Sequence, residues 1–172
     1  MSPALKLETP RRRLAVGALG VIGSLIFVGL EVRESSRATR AATDAEIAAQ
    51  FVEINLAIYS SDHLAADIEA ALEAGHPSRA SRESQTRLLA HWRALFHIWS
   101  NTHRQHLNGT VNPLLFQAVQ QELSAYAAPE SPDVSAGMNG ARRLMEWTWE
   151  SERFIYNPAF QALVDSTIVA LR

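Results

Sequence analysis

The chain contains no cysteine, which excludes disulfides, thiolate nucleophiles, cysteine-ligated zinc and iron–sulfur clusters. Lys6 is the only lysine beside fifteen arginines, a bias that follows from genome composition rather than from a need for guanidinium. No GxGxxG or phosphate-binding Walker loop occurs, nor GxSxG or HExxH, and no carboxylate pair falls on an apolar face where its acidity would be perturbed. No predicted helix carries the basic stripe that phosphate recognition requires, so nucleic acid is not expected as a partner. Strand-like alternation, internal repeats and low-complexity tracts are also missing, which leaves an all-α chain.

Long apolar runs are scarce too, with one exception. Leu14 to Leu30 is seventeen uncharged residues, preceded by Arg11, Arg12 and Arg13 and followed by Glu31 and Arg33. As a helix it would extend about 26 Å against a hydrocarbon thickness of about 30 Å. Snorkelling by Arg13 and Arg33 makes up the difference, so the expectation is a transmembrane anchor over 11–33. A cleaved signal peptide is the rival, but EVRESSRATRA offers no small-x-small site directly after the run. Gly17, Gly20 and Ser24 place small residues inside this helix, where they let two membrane helices pack closely and allow a homo-oligomer.

The charge divides unevenly. Up to Arg33, five basic residues face two acidic ones, a net of +3, and the remainder sets eleven arginines against sixteen acids, a net of −5. The basic residues directly before the run favour a cytoplasmic N-terminus, with the acidic domain on the far side.

Residues 1–10 read as a disordered head and 34–43 as a linker or helix extension, with the helical domain over 44–172. There Ile47, Phe51, Ile54 and Ile58 make one stripe. Ser61 and Asp62 cap a second helix ended by Gly75 and Pro77. Ser81 caps a third helix, 82–107, whose Leu88, Trp92, Leu95, Phe96 and Trp99 share one arc. Asn108 and Gly109 stop it. Asn112-Pro113 and Asn157-Pro158 both set a cap before proline at the first helical position, opening the fourth and last helices. A fifth helix is expected over 139–156, after a loop containing Pro129, Pro132 and Gly137. The predicted architecture is an N-terminal transmembrane helix followed by an antiparallel bundle of about five helices, with Trp92, Leu95, Trp99, Phe116, Leu144, Trp147 and Phe160 in its core.

Two groups of residues carry functional expectations. His103 and His106, spaced i, i+3 on the aromatic arc, could place two imidazoles on one metal ion, although no carboxylate shares that arc. On the fifth helix, Leu144, Trp147, Phe154 and Ile155 form one stripe and Met145, Trp149 and Tyr156 a second. Two stripes fit a central helix packed on two sides; in the functional reading the second stripe meets a partner, a ligand or the bilayer surface, and as the candidate partner-binding surface it would be exposed in the free domain. Glu146, Glu150 and Glu152 read as a solvated face.

The run W92-R-A-L-F-H-I-W99, the H-L-N-G-T around Gly109, G140-A-R-R-L-M-E-W147 and F160-Q-A-L-V-D165 resemble a set of small uncharacterised bacterial proteins with one N-terminal membrane helix and a helical domain. The resemblance covers about residues 45 to 170 and rests on aromatic and glycine positions. It implies fold and membrane attachment, and no catalytic residue or cofactor. With it, the expected location is the bacterial inner membrane, single-pass, with the helical domain periplasmic. The expected partners are the lipid bilayer and an unidentified protein. The expected function is a non-enzymatic interaction or scaffold module; the alternatives are a ligand-sensing domain with a small molecule between helices, then a metal-assisted enzyme.

Overall fold

The computed structural model describes residues 8–73, 76–129 and 141–171, with the side chains of 8–16, 18 and 59 outside that description. Among the described residues every regular element is helical: α1 (Glu8–Ser60), α2 (Asp62–Glu73), α3 (Arg82–Leu107), α4 (Pro113–Ala127), α5 (Ala141–Glu152) and α6 (Pro158–Ala170), with short 3₁₀ turns at Pro77–Arg79 and Arg153–Ile155. The expected loop around Pro132 and Gly137 and the stop at Gly75 lie outside the described residues. The all-α class stands. The chain divides into two units, residues 1–40 and 41–172, and α1 contributes to both.

In the first unit the described side chains are exposed throughout. Among the described residues no helix is long and apolar enough to cross a membrane. Beyond Leu30 the helix turns charged, with Glu31, Arg33 and Glu34 among its next four residues. The transmembrane helix, the single-pass topology and the inner-membrane location are corrected on that finding. Of the anchor residues, the Arg13 side chain lies outside the description, while Gly17, Gly20, Ser24 and Arg33 are exposed helical positions.

The second unit is built around α3, which packs against α2, α4, α5 and α6. Its ends form as the side chains dictate. Ser81 Oγ accepts the Ser84 amide at 3.1 Å. At the other end the Gly109 amide reaches His106 O and the Thr110 amide reaches Gln105 O, both at 2.9 Å. That pairing closes the last carbonyls and needs the left-handed φ of +69° that Gly109 supplies. Asn112 and Asn157 accept the amides of Leu114 and Phe160 at 3.0 and 2.9 Å, with proline next in line in both cases.

The core follows the predicted arc of α3. Leu88, Trp92, Leu95, Phe96 and Trp99 are buried against Val119 and Leu123 of α4, Leu144 and Met145 of α5, and Phe160 and Val164 of α6. A smaller cluster joins Ile47 of α1, Ile98, Val111 and Phe116. Trp147, expected in the core, packs only at its edge.

Candidate functional site

The partner stripe is the first correction. Met145, Trp149 and Tyr156 are 0, 3 and 6% exposed. Trp149 sits 5.1 Å from Phe96, 5.6 Å from Tyr156 and 5.9 Å from Phe160 between ring centres, so these residues are the interior of the bundle rather than a surface. The cause is local. The α-helix ends at Glu152 and a 3₁₀ turn takes its place, which changes the angular advance per residue. Phe154 and Ile155 swing outward to 77 and 47% exposure while Tyr156 turns in. On the helix proper, Ala141, Leu144, Met145, Thr148, Trp149 and Glu152 make a single buried face.

Glu152, expected in solvent, is buried and ion-paired with Arg93 through both guanidinium contacts. The Glu152 carboxylate beside it raises the Arg93 pKa further. A matching buried pair joins α2 to α3: Asp67 accepts from Arg87 and, at 2.6 Å, from Ser84. The Arg87 hydrogen bond, opposed by burial, holds the Asp67 carboxyl below its ordinary range. Neither pair was visible to helical spacing, because the partners lie 20 and 59 residues apart.

His103 and His106 do converge, but on an aromatic ring. Their imidazoles stack with Phe116 at 5.6 and 4.1 Å. His103 is 8% exposed and its Nδ1 has no hydrogen-bond partner among the described residues. Burial, followed by the neighbouring His106, pushes its pKa down, so the ring is held neutral. Among the described residues no group of three or more His, Cys, Asp or Glu is placed to hold a metal ion. The two-histidine expectation therefore lacks the further ligands a site needs.

Two tryptophan N–H groups end on carboxylates. Trp99 donates to Glu122 at 2.8 Å, and Trp149 donates to Asp165, also at 2.8 Å. Burial raises the Glu122 pKa and the Trp99 bond partly offsets it. These contacts fix the indoles in the core.

Among the described residues of the second unit, two clefts bear on a ligand. One, of about 330 Å³, is lined by Glu146, Trp149, Glu150, Arg153 and Asp165 with Ile168 and Val169. Its charges are largely matched internally, Arg153 with Asp165 at 2.7 Å and Arg142 with Glu146 at 2.9 Å. The other, of about 350 Å³, is lined by Gln50, His97, Ile98, Ser100, Asn101, Arg104 and Asn157. Sequence reasoning passed over it by following the apolar arc of α3, although the i, i+3, i+4, i+7 spacing of His97, Ser100, Asn101 and Arg104 marks a polar face just as plainly.

No family model, no curated protein and no solved structure matches the chain, so function is argued from its own residues.

Proposed function

We propose that the chain is a non-enzymatic interaction module that assembles with copies of itself through the apolar part of α1, residues 19–32. One observation carries this. Nine large apolar side chains between Leu19 and Val32 are each 49–69% exposed. Single exposed leucines are ordinary, but a contiguous apolar surface marks an association site. A helix apolar around its circumference is stable in water only when covered.

A second copy fits this surface. Val21, Leu25, Val28 and Val32 follow the four-three-four spacing with which two helices interlock, a short seam rather than an extended coiled coil. Gly17 and Ser24 flank that seam, and nothing lies within 4 Å of the Cβ position at Gly17, Gly20, Gly23 or Gly29. A second backbone can therefore approach closely. The bundle of the second unit, whose short capped connections favour antiparallel neighbours, is the element that assembly would cluster.

Sedimentation velocity on the full chain tests this. Species larger than a monomer are expected at tens of micromolar, and the double substitution Leu25→Glu with Val28→Glu should return the chain to monomer without altering its helix content. A wild-type chain that stays monomeric overturns the proposal. So does recovery of the chain only on phosphatidylcholine vesicles, with no larger species in their absence.

A further inference from the structure

The polar cleft of about 350 Å³ is bordered by α1, α3 and the start of α6, all within residues 41–172. Among the described residues no carboxylate lines it, although the chain from residue 34 onward carries more acids than bases. The hydrogen-bond bookkeeping is equally one-sided. Asn101 Oδ1 accepts from Arg104 at 2.9 Å, and Asn157 Oδ1 accepts the Phe160 amide at 2.9 Å. Each amide oxygen is thereby committed within the protein, and each leaves its amino end to donate. Arg104 spends one contact on Asn101 and keeps the rest of its five-donor guanidinium. Ser100 and Gln50 add a hydroxyl and a carboxamide, and His97 stands exposed at the rim with its ring 5.3 Å from Tyr156.

A cation near the end of a helix has a simpler role, since Arg104 in the last turn of α3 complements the helix dipole. That accounts for Arg104 alone. It does not account for a cleft in which two further amide oxygens are already taken up as acceptors within the protein.

We propose that this cleft binds a small oxyanion, a carboxylate or phosphate group on a molecule of few heavy atoms, with Arg104 as the charged anchor and the amino ends of Asn101 and Asn157 beside it. Guanidinium recognises both oxyanions through paired N–H donors. A volume of about 350 Å³ lies at the small end of ligand sites, and the carboxamide of Gln50 suits a ligand that also carries hydroxyl groups. The inference does not rest on self-association, because every lining residue belongs to the second unit.

The test is calorimetric titration of the full chain, at constant ionic strength, with inorganic phosphate and separately with malate. Saturable binding of at least one is expected, and the anion that saturates identifies the source of the recognised group. Arg104→Gln, which removes an exposed side chain, should weaken that binding at least tenfold. Arg153→Gln, in the other cleft, should leave it unchanged. Failure of both anions to saturate, or equal weakening by the two substitutions, overturns the proposal; equal weakening would mean diffuse charge screening instead of a site.

Discussion

Replacing Trp149 by Ala separates a core residue from a surface one more sharply than any other single change. Its indole is 3% exposed and touches the rings of Phe96, Tyr156 and Phe160. Truncating a packed tryptophan costs about 3 to 5 kcal/mol through lost burial and the cavity left behind. Loss of the 2.8 Å bond to Asp165 adds about 1 kcal/mol, held low because Asp165 is itself partly exposed and keeps Arg153. The expected total is about 4 to 6 kcal/mol, a large share of the roughly 5 to 15 kcal/mol that a domain possesses. Urea denaturation followed by far-ultraviolet circular dichroism reads it directly, with the melting temperature falling by about 10 to 20 °C. Trp149→Phe, which keeps a ring in place, should cost less than half as much. If Trp149→Ala stays within about 0.5 kcal/mol of wild type, as surface changes do, the residue is not core and the packing described here is wrong.

Three further outcomes concern titrating groups. The Asp67 carboxyl is more acidic folded than unfolded, so its contribution to stability is complete above the unfolded value of about 4 and is lost as pH falls from there through the lower folded value. Asp67→Asn should therefore lower the urea midpoint at pH 7 and flatten its acid dependence; an unchanged acid slope would contradict the Arg87 pairing. His103 has a folded pKa below its ordinary value, so stability should fall as pH drops below about 6.5. His103→Leu should reduce that fall, and comparison with His91→Leu separates the two buried rings, which titrate in the same direction. Glu122 is pushed the other way by burial, so its charged form costs stability as pH rises past about 4.3. Glu122→Gln keeps an acceptor for Trp99 and should leave the domain equally or more stable at pH 7; a loss above about 1 kcal/mol would show that the charge itself is needed.

What the sequence disclosed was what short-range chemistry controls. Ser81, Asn112-Pro113, Asn157-Pro158 and Gly109 each act on amides or carbonyls within five residues, so helix ends could be placed from composition alone. The apolar arc of α3 was legible for the same reason, because 3.6-residue periodicity is local. Trp149 and Tyr156 share one face as their spacing predicts, but periodicity does not say that this face turns into the core; the 3₁₀ turn at Arg153–Ile155 bears only on the residues after Glu152. The partnerships of Asp67 with Arg87 and of Glu152 with Arg93 depend on which helices meet. Hydrophobic periodicity says that a face is buried, not against what. The apolar run at 14–30 suggests a bilayer by its length, whereas among the described residues no helix is long and apolar enough to cross one.

The absence of cysteine makes the central claim directly measurable. Leu25→Cys places one thiol on the seam of α1, and Glu69→Cys places one on the exposed face of α2. Under mild oxidation of the full chain at tens of micromolar, self-association through residues 19–32 predicts rapid disulfide-linked dimer from Leu25→Cys and little from Glu69→Cys. Dimer forming at equal rates from both positions, or from neither, would contradict it.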